Sequence, residues 1–307
     1  MAKEPISITY SITDNWAQHL AVALTSVIVH NPGERFRFHV LHCDVTPATR
    51  ARFAEIEKAN PGVTIEFHSV DPARFADFPT PACLSEIPLA ACYRLALPEI
   101  LGDEERTIYS DVDVLTVRGG VRALWEMDLG GNVVAAVSDR HDDTDDFRMF
   151  RRMLGLKPED DYFCSGLLVM DLGAMRRDGY VSRFFKAAFR LRDIIVYVDQ
   201  DILNSVCAGR IRPISDKWNC ADSWSPFRKD VVQWHFQCQT SKPWCNIWKC
   251  TTWLPYLRYL LKTPYRGNAL RFVWGHVKGF FWFTYTKNCV HRCLFCGIRV
   301  WKRRIQA

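Results

Sequence analysis

Thr107-Ile108-Tyr109-Ser110-Asp111-Val112-Asp113-Val114-Leu115 runs from a short β-branched and aromatic stretch directly into two carboxylates. A strand over Arg106–Ser110 followed at once by polar groups fits an open α/β sheet, in which ligands bind beyond the carboxyl ends of the strands. The flanking sequence repeats the pattern. Ile6–Ile12 alternates like a strand and leads into Asp14–His30, where Leu20, Leu24, Val27 and Ile28 make one apolar helical face. Phe36–Cys43 reads as a strand, and Thr46-Pro47 as a cap with a first-turn proline that opens a helix to Ala59. Val63–Val70 is a further strand, Ala91–Leu101 a helix, and Asn132–Ser138 and Tyr162–Met170 strands, with a helix over Ala174–Leu191. Alternating units of this kind predict a mostly parallel, Rossmann-like α/β sheet with helices on both faces.

The 307 residues include 48% hydrophobic and 24% charged types, which excludes a disordered, collagen-like or coiled-coil chain. Charge is unevenly spread. After Asp230 there are thirteen Lys or Arg and no acidic residue, which leaves 27 basic against 34 acidic groups in residues 1–230, a net of −7. Seven of the eleven Trp also follow residue 230. The start of the chain does not read as a signal peptide, and Leu270–Phe283 is interrupted by Arg271, His276 and Lys278, too short a run to span a bilayer. Twelve Cys in such a chain are expected to be reduced thiols in a cytoplasmic protein.

The chemistry-bearing residues sit at the ends of these elements. Asp111 and Asp113 share a face if the strand continues and converge if it turns; either way both can hold one hard cation such as Mn2+ or Mg2+. The bland alternative is an exposed acidic turn. Ser11, Thr13, Asp14 and Asn15 follow the first strand and suit either a base and ribose or a helix cap. Arg94 can neutralise a phosphate or stay solvated. Cys164-Ser165-Gly166 lets a bulky group approach the backbone, or serves tight sheet packing. Asp199-Gln200-Asp201 and Asn204 precede an apolar helix, where acidic groups are also favoured by the helix dipole. His235 and Lys242-Pro243-Trp244 follow the apolar pair Val231-Val232.

In this order, Asp14-Asn15-Trp16, Tyr93-Arg94-Leu95, Asp111-Val112-Asp113, Cys164-Ser165-Gly166, Asp199-Gln200-Asp201 with Asn204, His235 and Lys242-Pro243-Trp244 resemble the retaining, nucleotide-sugar-dependent glycosyltransferases of family 8. That family includes bacterial lipopolysaccharide galactosyl- and glucosyltransferases and the glycogenins. The resemblance implies a GT-A catalytic domain over residues 1–245, with Asp111, Asp113 and His235 as metal ligands for Mn2+ or Mg2+. It implies a UDP-sugar donor, with Ser11, Thr13 and Asn15 lining the uridine pocket. Arg94 would hold the donor sugar or phosphate, Lys242 the diphosphate, and Ser165 and Gly166 the border of the sugar. Asp199 would bind the sugar hydroxyls, Gln200 would lie beside the anomeric carbon, and Asp139 matches an acceptor-side position. The implied reaction moves galactose or glucose to a glycan acceptor, lipid-linked as in lipopolysaccharide; a non-catalytic nucleotide-sugar-binding relative is the alternative. An amide is a poor nucleophile, so Gln200 favours front-face attack by the acceptor over a covalent intermediate. Three departures bear on donor identity: Cys164 replaces an Asn, Thr13 stands where relatives carry a carboxylate, and Phe236-Gln237-Cys238-Gln239-Thr240-Ser241 lacks a Gly and is one residue longer than usual.

Residues 246–307 form a basic, aromatic tail. Trp248, Trp253, Tyr256, Tyr259, Trp274, Phe280, Phe281, Trp282 and Trp301 alternate with Arg258, Lys262, Arg266, Arg271, Lys278 and Lys302-Arg303-Arg304. This composition is expected to attach the protein peripherally to an anionic membrane on its cytoplasmic face, with a packed helical pair as the bland reading. No nucleic-acid-binding module accompanies it, so nucleic acid is not an expected partner. Cys289, Cys293 and Cys296, with His291 between them, suit either zinc or a set of reduced thiols.

Overall fold

The computed structural model of the protein describes residues 3–79, 89–139, 144–221, 228–237, 242–244 and 253–274. The strands are β1 (Ile6–Ser11), β2 (Phe36–His42), β3 (Val63–Ser69), β4 (Arg106–Ser110), β5 (Val114–Thr116), β6 (Val134–Ser138), β7 (Phe163–Asp171), β8 (Ile211–Ile214) and β9 (Gln233–His235). The helices are α1 (Ala17–His30), α2 (Pro47–Ala59), α3 (Leu97–Ile100), α4 (Val121–Trp125), α5 (Asp145–Met153), α6 (Leu172–Arg177), α7 (Tyr180–Arg190), α8 (Val198–Cys207) and α9 (Trp253–Leu260).

Seven strands form one sheet in the order β3-β2-β1-β4-β7-β6-β8, and β5 pairs with β9 in a small second sheet. Within the large sheet every pairing is parallel except those of β7, which runs antiparallel to both β4 and β6. The expected mostly parallel sheet is therefore the one that forms. Alternation along the strands feeds two cores. Ile6, Ile8, Phe36, Phe38, Val40, Leu167 and Val169 face one side with α1, α2 and α9. Leu41, Val134, Ala136, Leu168 and Met170 face the other with α3, α6, α7 and α8. Each fully buried Leu or Phe here contributes about 2 kcal/mol. Below Tyr10 the second face of β1 is polar instead: the Ser7 hydroxyl donates to Thr107 Oγ1 at 3.1 Å, and the Thr9 and Thr107 hydroxyls lie 2.8 Å apart.

Local signals mostly hold. Leu20, Leu24 and Val27 are buried on α1, and Thr46 caps α2 by accepting from the Thr49 N–H at 3.2 Å. Two expected helices differ. The segment read as helix from Ala91 is a 3-10 helix over Leu89–Ala96 that passes into the short α3, with Pro98 inside its first turn. The helix expected over Ala174–Leu191 is divided into α6 and α7 by Gly179, whose φ of 65° is left-handed and ends one helix before the next begins.

The C-terminal region is partly built into this body. On α9, Tyr256, Tyr259 and Leu260 are buried, as are Tyr265 and Phe272 beyond it. Tyr256 Oη lies 2.6 Å from His19 Nδ1 and Tyr259 Oη 2.6 Å from His30 Nε2, so α9 is bonded along α1. Leu254, Leu261, Leu270, Val273 and Trp274 are exposed. No helix among the described residues is long and apolar enough to cross a membrane. Cys289, Cys293 and Cys296 lie outside the described residues.

Candidate active site

The two carboxylates of the opening motif sit on a turn rather than on a continued strand. Val114 N donates to Asp111 O at 3.1 Å, and the chain then enters β5. β5 pairs antiparallel with β9 so that Val114 faces His235, and Phe236 N donates to Asp113 O at 3.0 Å. A residue more than 120 positions downstream is thereby brought to the turn. Asp111, Asp113 and His235 offer ligand atoms that all lie within 4.8 Å of one another. His235 Nε2 is 3.4 Å from Asp113 Oδ1 and 3.9 Å from Asp111 Oδ2.

The surrounding residues leave these atoms turned inward. Asp111 Oδ1 accepts from Arg94 Nη2 at 2.8 Å and from the Tyr109 hydroxyl at 3.1 Å, leaving Oδ2 toward His235. Asp113 Oδ1 is buried without hydrogen-bond geometry to any donor. Two carboxylates and an imidazole, with one orphaned buried oxygen, fit a divalent cation such as Mn2+. The second ring nitrogen, His235 Nδ1, lies 3.7 Å from Cys164 Sγ, which also accepts from Gln237 Nε2 at 3.0 Å. Cys164, one departure from the family pattern, thus holds the imidazole from behind, as outer partners of metal ligands do.

Reversal of β7 makes this possible. Being antiparallel to β4, with Ser110 opposite Leu167, β7 starts where β4 ends, and Asp111 N donates to Gly166 O at 2.8 Å. The glycine is needed for the close approach of His235: a Cβ on Gly166 would fall inside van der Waals contact with the imidazole ring. Ser165, Gly166 and Cys164 are thereby fixed beside the carboxylates.

The third wall is α8. Asp199, Gln200 and Asp201 lie within its first turn, not ahead of it, behind Val198, whose φ of 29° is strained for a β-branched residue. Asp201 Oδ2 accepts from Val196 N and Tyr197 N, each at 2.7 Å, and closes that turn. Burial raises the Asp201 carboxyl to about 6 despite these bonds. Gln200 is clamped at both ends of its amide. Oε1 accepts from Ser165 N at 2.9 Å, and Nε2 donates to Asp139 Oδ2 at 3.0 Å and to Tyr162 Oη at 3.2 Å. Asp199 Oδ2 accepts from Ser165 Oγ at 2.9 Å and lies 3.1 Å from Arg94 Nε. Burial pushes the Asp199 carboxyl above its usual range, with Arg94 opposing.

Arg94 is 3% exposed and lies between the two carboxylate groups, with Nη1 donating to Ser165 O at 2.6 Å and its guanidinium 4.2 Å over the Tyr109 ring. Lys242, also buried, ion-pairs with Asp113 and donates to Phe236 O at 3.0 Å. Behind it Trp244 packs on His19, ring centroids 3.8 Å apart, and on Tyr256 of α9, so the C-terminal region buttresses this lysine. Burial, and secondarily Lys242, drop the His19 imidazole to about 3, so it stays neutral. Sequence reasoning gave Tyr162 and Gln237 no part in the site and read Tyr256 and Tyr259 as members of a membrane-facing tail. Only their placement gives them a part.

At the end of β1, Thr13 Oγ1 donates to Asn15 Oδ1 at 2.5 Å, while Asp14 Oδ1 accepts from Thr46 N at 3.0 Å. Asp14 is therefore tied to the start of α2, and Ser11, Thr13 and Asn15 remain at the sheet edge.

The sequence model of glycosyl transferase family 8 matches residues 7–247. The chain belongs to that family. A putative glycosyltransferase of Haemophilus influenzae is 25% identical over 230 residues, covering 75% of this chain and 66% of that protein. The lipopolysaccharide 1,3-galactosyltransferase of Salmonella typhimurium is 23% identical over 290 residues, covering 89% of this chain and 80% of its own length. Among solved structures, the galactosyltransferase LgtC in complex with donor and acceptor sugar analogues is 26% identical, with a TM-score of 0.73 over 84% of this chain and 96% of that one. A glutamine-to-glutamate active-site variant of LgtC matches with a TM-score of 0.72. The GT-A fold expected for family 8 is thus the fold observed.

Two expectations follow for this family 8 site. Gly166→Ala should displace His235 and weaken Mn2+ binding at least tenfold while the chain remains folded, as read by calorimetric titration and circular dichroism. In the metal-free protein burial disfavours the His235 imidazolium, yet the Asp113 carboxylate prevails and raises it to about 10. A cation must displace that proton. Apparent Mn2+ affinity should therefore rise about tenfold per pH unit between pH 7 and 9 with release of a proton, measured by calorimetry in buffers of different ionisation enthalpy. Folding of the metal-free protein has the opposite pH dependence: His235 stabilises it fully below its unfolded value of about 6.5, and this contribution is lost as pH rises toward 10.

Proposed function

We propose that this chain is a retaining, Mn2+-dependent hexosyltransferase that moves galactose or glucose from a UDP-sugar to a lipid-linked glycan of the lipopolysaccharide type. The observation that carries the reading is the convergence of Asp111, Asp113, His235 and Lys242 beside the clamped amide of Gln200. A cation held by Asp111, Asp113 and His235 would supply positive charge to the departing diphosphate. Lys242, now paired with Asp113, adds a second positive group there. Ser11, Thr13 and Asn15 face the uridine, Arg94 and Asp199 fix the sugar side, and Ser165 and Gly166 border it.

The step is a front-face substitution. The acceptor hydroxyl oxygen bonds to the anomeric carbon as the bond to the UDP oxygen breaks, and the hydroxyl proton passes to the leaving phosphate. Gln200 Oε1 uses one lone pair on Ser165 N, and its second lone pair is available to stabilise the sugar cation. The bond from Gln200 Nε2 to Asp139 connects the amide to the acceptor side. The active-site glutamine of LgtC, whose glutamate variant has been solved, supports the choice of an amide at this point.

Incubation with UDP-galactose or UDP-glucose and a lipopolysaccharide-type acceptor should give a product of retained anomeric configuration by NMR, formed with Mn2+ and absent in EDTA. Gln200→Ala should lower kcat about a hundredfold with UDP affinity unchanged. Donor binding without any transfer would instead identify a nucleotide-sugar-binding relative, and a trapped sugar–protein adduct would overturn front-face attack.

The basic, aromatic C-terminus supports work at the cytoplasmic face of an anionic membrane. Because Tyr256, Tyr259 and Phe272 pack into the body, the membrane-attaching part is assigned to the chain beyond Trp274. Full-length protein should sediment with phosphatidylglycerol vesicles, whereas a chain ending at Trp274 should stay in solution.

A further inference from the structure

A second group of metal-binding side chains lies on β2 and β3 and shares no residue with the Asp111–Asp113–His235 group. The register places His39 opposite Glu66, and His68 two residues further along β3 shares the face of Glu66. Val63, Ile65 and Phe67 of β3 turn to the core instead, so Thr64, Glu66 and His68 form the outward row. His39 Nδ1 lies 3.0 Å from His68 Nε2 and 3.7 Å from Glu66 Oε2, and the three residues bring ligand atoms within 4.8 Å of one another.

We propose that His39, Glu66 and His68 form a zinc site that ties the edge strand β3 to β2. Ligands about 2.0–2.1 Å from a tetrahedral zinc stand about 3.3 Å apart, between the two separations observed, so small side-chain adjustments suffice. Two imidazoles and one carboxylate suit zinc, whereas the Asp111–Asp113–His235 group is richer in oxygen and suits Mn2+. The fourth position opens to solvent, because Glu66 is exposed and His68 half-buried.

The neighbours of His39 have the arrangement expected behind a metal ligand. Its buried Nε2 faces Glu104 Oε1 at 3.5 Å without meeting hydrogen-bond geometry. A proton on Nε2 directed at Glu104 leaves the Nδ1 lone pair toward His68 and Glu66, the carboxylate–histidine–metal order seen behind bound zinc. Glu104 is itself fixed by Arg37 Nη1 at 2.7 Å. Arg37 Nε lies 3.7 Å from Glu66 Oε1, the oxygen that does not approach His39, so that arginine can remain in place when the other oxygen binds the ion.

The test uses full-length protein and zinc chloride as probe, and does not depend on glycosyl transfer. Because twelve cysteines can also bind zinc, the informative quantity is the difference between variants. His68→Gln should lose about one tightly bound zinc per chain, counted with a chromophoric chelator, and should lose the zinc-dependent rise in Tm seen in the wild type. Glu66→Gln, at an exposed position, should weaken the same zinc at least tenfold and serves if His68→Gln does not fold. Equal zinc content and equal zinc-dependent Tm in wild type and variants would overturn the proposal and identify the group as a metal-free ion-pair network closed by Arg37.

Discussion

Arg94 is a buried cation whose partners come from separate parts of the sheet, and the site is organised around it. Its guanidinium reaches Asp111 at the end of β4, the Ser165 carbonyl in β7 and Asp199 in α8, and rests on the Tyr109 ring. Taking such a charge out of water is tolerable only if every donor finds an acceptor, and removing one partner leaves an uncompensated charge. The requirement acts both ways. Arg94 keeps the part-exposed Asp111 and the buried Asp199 from repelling each other, and they in turn hold the arginine in place.

From that cation outward, each functional side chain has one face spent on structure and one left for chemistry. Asp111 gives Oδ1 to Arg94 and Tyr109 and turns Oδ2 to His235. His235 gives Nδ1 to Cys164 and turns Nε2 to the carboxylates. Gln200 is held at both ends of its amide, and Ser165 connects it to Asp199 through a backbone N–H and a hydroxyl. Such preorganisation matters because a site already oriented before the reaction needs no rearrangement as charge develops. Cys164 fits this logic although it departs from the family pattern: thiol and Gln237 together brace the ring.

The packing of α9 on α1 extends the same support. His19, Trp244 and Tyr256 form one aromatic contact behind Lys242, so the segment that begins the basic tail also steadies the lysine beside Asp113. Composition alone suggested a segment apart from the body, since aromatic and basic residues suit a membrane surface and a packed wall equally. What distinguishes the two is which rings are buried: Tyr256 and Tyr259 are, while Trp274 is exposed.

The sequence by itself determined the strand and helix alternation, the caps at Thr46 and Pro47, and the residue types able to hold a cation and a nucleotide-sugar, because periodicity, turn chemistry and side-chain chemistry are local. It also carried the family, through motifs in a fixed order. It left open whether Asp111 and Asp113 lie on a strand or a turn, and it could not show that β7 is reversed. Side-chain alternation records which face of a strand is buried, but is the same for parallel and antiparallel neighbours. That reversal puts Cys164, Ser165 and Gly166 at the end of β4, and the β5–β9 pairing carries His235 to Asp113. The helix break at Gly179 rests on a local signal, a glycine that takes a left-handed φ, which the expectation of one continuous helix passed over; Leu89–Ala96, nearly all buried, takes a 3-10 course that its helical propensity does not specify. The partners of Arg94, and the meeting of His39 with Glu66 and His68, belong to tertiary structure alone, because register between distant strands is fixed only when their cores close.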